Sequence, residues 1–135
     1  MRNIKQTPVA IAESLFRVSL GLQKFNKRLE RLLGLSLVQW YLLRRLIQMP
    51  STSAGVLAKD LGVHPGTLTP LLKRLRRKGM LFVEQDPFDS RRKNILISRA
   101  GRTKLVELEK SLFSMLEECG DRSISNIENL LDRLL

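Results

Sequence analysis

The feature that most constrains the fold is a series of short elements in the middle of the chain. Residues 53–61 predict a short helix with one apolar side, and residues 62–65 predict a tight turn because they contain glycine and proline. A second helix is expected over residues 65–78, with its proline at the first helical position. Segments 81–84 and 94–97 are rich in apolar residues and predict two short strands. Helix, turn, helix and hairpin in this order indicate a winged helix-turn-helix.

The second of these helices has an apolar face and a polar face. At about 100° per residue, its leucines cluster on one side. The opposite side combines small polar residues near the N-terminus with cations farther along, which suits a helix that enters the major groove. The predicted DNA-binding residues of this helix are Gly66, Thr67, Thr69, Lys73, Arg74 and Arg77, with Pro70 on the same face. An ordinary amphipathic helix with a solvated cationic face is the alternative.

Pro70 is an unusual residue for the interior of a helix. It lacks the N–H that would bind the Gly66 carbonyl, and an interior proline costs about 3 kcal/mol. The sequence therefore predicts either a kink at this position or an irregular first turn.

The connection between the two strands is predicted to be the wing. It contains Arg91, Arg92 and Lys93 in a row, and such cations are attracted to the negative potential of a narrow minor groove. Phosphates would repel Asp89, so we expect it to accept hydrogen bonds from Arg91 or Arg92 and fix their direction. The alternative is that Asp89 only forms the turn and that the arginines are solvated.

Both ends of the chain carry narrow apolar stripes with alternating spacings of three and four residues, as in coiled coils. We expect residues 8–34 and 105–135 to be dimerisation helices, and residues 36–104 to be the DNA-binding lobe of a single domain, 1–135. The fold class is mainly α (α+β). The alternative is that the two ends pack only on each other within one chain. The predicted dimerisation residues are Ile11, Leu15, Val18, Leu22, Leu108, Leu112, Ile127 and Leu131.

Charge and composition narrow the functional classes. The chain has 24 Lys+Arg and 13 Asp+Glu, a net charge of +11, and residues 73–104 hold most of this excess. Such focused positive charge favours a polyanionic partner, above all nucleic acid, over a merely solvated basic surface. One Cys and one His supply neither a disulfide nor a Cys/His zinc site, so no metal or cofactor is expected. Without an apolar run long enough for a membrane span or a signal peptide, we expect a cytoplasmic protein and no membrane partner.

Residues 53–104 resemble the MarR family of winged helix-turn-helix transcription factors. The resemblance lies in residues 57–62 of the first helix, residues 66–75 of the second, Asp86-Pro87 with Asp89-x-Arg91 in the wing, and Ile97-Ser98-x-x-Gly101 after it. It implies a homodimer that reads a pseudopalindrome in double-stranded DNA, with Arg91 in the minor groove. It also implies repression, and a small aromatic or anionic effector that binds between the dimer region and the DNA-binding lobe.

The second helix is most similar to the branch of the family that senses organic hydroperoxides and other oxidants. That branch has its reactive cysteine in the N-terminal helix, whereas residues 1–50 contain none. The single thiol, Cys119, continues an apolar stripe and lies beside two glutamates, which oppose a thiolate. We therefore expect Cys119 to be a packing residue rather than a redox sensor, with an intersubunit disulfide as the alternative.

The sequence favours a sequence-specific transcriptional regulator. A non-specific architectural DNA-binding protein could use the same cations and is the first alternative. A protein-interaction or membrane-surface module is the second, because basic amphipathic helices bind anionic lipid. An enzyme is disfavoured, since no catalytic carboxylate pair and no glycine-rich phosphate loop is recognisable.

Overall fold

The computed structural model describes residues 7–117 and 121–135, and the side chains of 121–123 are not among those described. Within these ranges the chain forms six helices and one antiparallel sheet of two strands. The elements are α1 (Pro8–Leu33), α2 (Leu37–Gln48), α3 (Ala54–Leu61), α4 (Pro65–Arg77), β1 (Leu81–Gln85), β2 (Lys93–Ile97), α5 (Arg99–Leu116) and α6 (Asp121–Leu134).

Polar N-cap residues place the starts of the first five helices. The side chains of Thr7, Ser36, Ser53, His64 and Ser98 each accept a hydrogen bond from a backbone N–H in the first turn, which otherwise lacks a partner. At α2 the cap is reciprocal, because Gln39 also accepts from the backbone N–H of Ser36 at 3.1 Å. These caps agree with the helix starts expected from the sequence.

The hydrophobic core lies between α2, α3, α4, the sheet and α5. It is built mainly from leucines because each of these helices presents one apolar stripe inward. Gly101, in the first turn of α5, is buried where a Cβ would overlap the carbonyl oxygen of Met80, so only glycine allows this approach. The fully buried leucines are Leu29, Leu35, Leu42, Leu43, Leu46, Leu57, Leu68, Leu75 and Leu105.

The winged helix-turn-helix predicted from the sequence is confirmed, and so is the mainly α fold class. The α3–α4 turn begins at Gly62, whose φ of 67° lies in the left-handed region that favours glycine. β1 and β2 pair from Leu81↔Ile97 to Gln85↔Lys93, one pair longer than the sequence predicted. Thr52 adds a single bridge to Ile95 on the other side of β2, so the hairpin is anchored to the segment before α3.

Two of the predicted dimerisation residues, Leu108 and Leu112, are already buried within the single chain. These residues are 3% and 6% exposed and belong to the core of the single chain, where α5 packs against α2. Their regular spacing belongs to a helix face that is buried within the chain. A coiled-coil seam has the same spacing, so the sequence pattern does not distinguish the two. The apolar residues that α5 does expose lie on other faces, with Phe113 at 68%.

The other predicted dimerisation residues remain accessible in the single chain. Ile11, Val18, Leu22 and Leu131 are exposed, and Leu15 and Ile127 are half-buried. Over the ranges that the structure describes, no helix combines the length and hydropathy that crossing a membrane requires.

Candidate nucleic-acid interface

The two faces of α4 are separated as the sequence predicted. Leu68, Leu72 and Leu75 are buried and Leu71 is half-buried, which holds the helix against the core. The opposite face is exposed along the whole helix and carries the residues of this helix that are predicted to bind DNA: Gly66, Thr67, Thr69, Lys73, Arg74 and Arg77.

The N-terminus of α4 depends on side chains next to the turn. The Nδ1 atom of His64 accepts the N–H of Gly66 at 3.0 Å, and a Cβ on Gly66 would approach that Nδ1 to 3.1 Å. Gly66 therefore has an intramolecular reason to be small, besides the approach to DNA that the sequence suggested. The Oγ1 atom of Thr69 donates to the carbonyl of Pro65 at 2.9 Å.

Pro70 lies inside α4, and the helix continues through it to Arg77. The first turn departs from α-helical bonding, because the N–H of Thr67 binds the carbonyl of His64 three residues back at 2.9 Å. Of the two outcomes that the sequence allowed, this agrees with an irregular first turn.

Side-chain hydrogen bonds hold the wing loop in shape. Asp86 accepts the N–H groups of Phe88 and Asp89 at 2.8 and 3.0 Å and the Nδ2 of Asn94 at 3.1 Å. The bond from Phe88, followed by that from Asn94, lowers the pKa of the Asp86 carboxyl from its ordinary value. Gln85 donates across the loop to the carbonyl of Ser90 at 2.6 Å. The loop therefore has a defined shape before any partner binds.

The predicted wing residues all lie on the exposed surface of this loop or at the start of β2. Asp89 accepts the backbone N–H of Arg91 at 2.9 Å, so it orients the main chain of Arg91 rather than a guanidinium group. The short side chain of an aspartate easily reaches the backbone N–H two residues ahead. A bond to the guanidinium group would also require the long arginine side chain to be ordered, so the backbone N–H is the favoured donor. Arg92 donates its Nε to Asn94 at 3.2 Å, and Lys93 begins β2.

A cleft of about 180 Å³ lies between α4 and the sheet, with an apolar floor of Leu72, Leu81 and Ile95. Lys73 and Arg76 border it from α4, and Lys93 borders it from β2. Basic residues of α4 and of the hairpin therefore share this cleft, with Lys73 and Arg76 on one side and Lys93 on the other.

None of the cations of α4 and the wing forms an ion pair with a carboxylate within the described ranges, although Arg92 lies near enough to Asp86 to help lower the pKa of that carboxyl. The ion pairs found there are Glu13–Arg17, Arg44–Glu109 and Arg45–Asp60, all away from α4 and the wing. Since like charges this close repel one another, the arrangement favours a polyanion that would neutralise them.

Some residues of this site were missed in the sequence. Arg76 is exposed and shares the cleft with Lys73, and their spacing of three residues was a usable signal. The roles of Gln85 and Asn94 had no such signal, because their partners depend on the folded loop. In the sequence, Asp86 stands out only as part of the wing motif Asp86-Pro87.

The remaining site predictions concern metals and redox chemistry. In residues 7–117 and 121–135, no group of three His, Cys, Asp or Glu side chains is placed to hold a metal ion. Cys119 lies outside the described residues, so its expected packing role stays a prediction.

The winged helix-turn-helix segment is similar to a known protein family. Residues 35–93 match the model of the MarR family, a segment that begins two residues before α2 and runs through α3, α4 and β1 to the first residue of β2. A search of the curated proteins found no significant match.

Solved structures of transcriptional regulators share the fold over nearly the whole chain. A mutant MarR from E. coli complexed with operator DNA is 20% identical, with a TM-score of 0.70 over 96% of this chain and 99% of that one. BldR from Sulfolobus solfataricus is 22% identical, with a TM-score of 0.69 over 98% and 99% of the two chains. A mutant MepR from S. aureus bound to an oligodeoxyribonucleotide is 27% identical, with a TM-score of 0.57 over 91% and 94%. The chain therefore has the fold of the MarR-type transcriptional regulators, and its winged helix-turn-helix segment matches the MarR family.

Proposed function

We propose that the chain is a sequence-specific DNA-binding transcriptional regulator, a cytoplasmic repressor that binds a pseudopalindromic operator as a homodimer. The observation that carries the proposal is the exposed basic surface of α4 and the wing, in which Lys73 and Arg76 share a cleft with Lys93. None of its cations forms an ion pair in the described part of the chain, while a buried leucine face holds α4 in place. A rigid helix with this exposed face suits the major groove.

In this proposal the parts of the surface have different roles. The small residues Gly66, Thr67 and Thr69 at the start of α4 allow a close approach to base edges. Lys73, Arg74 and Arg77 farther along contact phosphates or guanines, and Arg91 on the wing enters the adjacent minor groove. The resemblance of the wing to the MarR family supports the last assignment.

The homodimer is supported by apolar surface that a monomer would leave in water. α1 exposes Val9, Phe16 and Leu22, and α6 exposes Ile124 and Leu134. Exposed apolar residues repeated along two long helices mark an interaction site more often than a free surface. A second copy of the chain is the proposed occupant, because a dimer also presents two recognition helices to two half-sites.

An effector site would lie between α2 and α5, where the candidate dimer region meets the DNA-binding lobe. A groove of about 420 Å³ there is lined by Leu37, Trp40, Leu112 and Phe113. Glu109 and Glu117 also line it, so the groove suits an aromatic ligand better than an anionic one.

Selection of DNA ligands from a random duplex pool tests the proposed function. We expect the selected sequences to contain an inverted repeat that binds about 10³-fold or more tightly than unrelated duplex at the same salt concentration. The repeat should also occur upstream of the chain's own gene, and transcription from that promoter should fall when the protein is added. Uniform binding to all duplexes would instead identify a non-specific architectural protein.

A further inference from the structure

We propose that Phe88, at the tip of the wing, inserts into the minor groove of the operator as an apolar wedge. The inference rests on the proposed function and extends it, because it assigns a DNA contact to an uncharged residue of the wing. Its basis is the combination of exposure, a fixed loop and surrounding cations.

Phe88 is exposed to an unusual degree. Its side chain is 98% accessible, whereas the neighbouring aromatic residue of the hairpin, Phe82 on β1, is only 40% accessible. A large aromatic side chain held entirely in water gains nothing for the fold, so its burial remains available for a binding partner.

The loop presents Phe88 in a defined position. Its N–H donates to Asp86 at 2.8 Å, and Asp86 is held in turn by Asn94 from β2 at 3.1 Å. Gln85 ties the other side of the loop to Ser90 at 2.6 Å. Because this backbone is already ordered, inserting Phe88 into a partner costs little additional entropy.

The charges around Phe88 favour DNA as the partner. Arg91, Arg92 and Lys93 follow within five residues, all are exposed, and none forms an ion pair with a carboxylate in the described structure. Two acidic groups, Asp86 and Asp89, lie beside Phe88, and both accept backbone N–H groups of the loop. An apolar tip bordered by cations is complementary to the minor groove, where phosphates form the rims and sugars and bases form the floor. Minor-groove proteins use phenylalanine among other apolar wedges to unstack a base step.

Operator binding by Phe88→Ala, Phe88→Leu and the wild-type protein tests this inference. We expect Phe88→Ala to weaken operator binding by about tenfold, and Phe88→Leu to lose less because it keeps an apolar wedge. Since no charge is removed, the dependence of binding on salt concentration should keep the wild-type slope. The melting temperature should also stay unchanged, because the side chain is almost fully exposed.

The outcomes separate this inference from the proposed function. Wild-type operator affinity in Phe88→Ala would overturn the wedge. An affinity loss with a reduced salt slope would also overturn it, because it would mean that the substitution moved cationic side chains away from the phosphates. An equal loss on operator and unrelated duplex would identify general apolar adhesion and would also overturn it. A wild-type protein with no preference for any duplex would instead contradict the proposed function.

Discussion

At the scale of single residues, the wing shows how a short loop presents cations without pairing them. Its acidic residues are used as hydrogen-bond acceptors for the backbone, Asp86 for Phe88 and Asp89 for Arg91. The carboxylates therefore shape the loop while Arg91, Arg92 and Lys93 stay exposed. The Asp89–Arg91 contact was expected from the sequence, although its donor is a backbone N–H.

Substitutions in the wing should separate groove insertion from phosphate contact. We expect Arg91→Ala to weaken operator binding by about 1–3 kcal/mol and to relax specificity, because it removes a contact inside a groove. Lys93→Ala should weaken operator and unrelated duplexes alike and lower the salt slope by about one. Fluorescence anisotropy with operator and unrelated duplexes, repeated over a series of salt concentrations, measures the affinity and the salt slope of each variant. An Arg91→Ala protein with unchanged operator affinity would show that the wing assignment is wrong.

The acid titration of Asp86 should report the order of the wing. Its pKa is lowered in the folded chain, chiefly by the N–H of Phe88, so the carboxylate stabilises the fold above the ordinary aspartate value of about 3.9. This contribution is lost as the pH falls through the lower, folded-state pKa. In an NMR titration we expect a midpoint below the ordinary value, shared by the amides of Phe88 and Asp89. Asn94→Ala should move that midpoint upward, and an ordinary midpoint in the wild type would contradict the network.

At the scale of elements, α4 is positioned from several directions. α3 and β1 pack against it, and the Nζ of Lys78, just after its end, donates to the carbonyl of Gly34 at 2.7 Å. Gly34 is the C-cap of α1, so this hydrogen bond links the C-terminal end of α4 to that of α1, the candidate dimerisation helix. The sequence predicted where both helices end but contained no signal for this connection.

The turn between α3 and α4 depends on the left-handed conformation of Gly62. We expect Gly62→Ala to lower the free energy of unfolding by about 1 kcal/mol, because a Cβ is strained at its φ of 67°. Gly55→Ala on the same helix is the matched control, since nothing lies within 4 Å of its Cβ position and its φ is not positive. It should be neutral or stabilising by a few tenths of a kcal/mol. Urea denaturation at one protein concentration compares them, and equal stabilities would contradict the role of Gly62.

At the scale of the whole molecule, association through α1 and α6 would bury apolar surface that the single chain exposes. We expect light scattering at micromolar concentration to give about twice the chain mass of 15.5 kDa. Leu22→Glu should shift the protein toward the monomer, because Leu22 is 53% exposed and its loss does not open the core. Gln23→Glu adds the same charge next to the stripe and should leave the dimer intact. A folded wild-type monomer would contradict this assembly.

Local patterns in the sequence were sufficient for the elements and for the face that each helix presents. Caps such as Ser36 and Ser98 act within three residues of the chain, and the leucine spacing of α4 already separates its buried side from its cationic side. Features of this kind depend on backbone geometry and periodicity, so they can be predicted without knowing the fold.

The tertiary structure was needed wherever partners are distant in sequence. Apolar spacing alone could not show whether Leu108 and Leu112 face α2 in the same chain or a second chain, because the same stripe is compatible with either. Nor could it show that Lys73 and Lys93 border one cleft, or that Lys78 reaches Gly34. Each of these contacts joins side chains of separate elements, and they meet only after the core has packed.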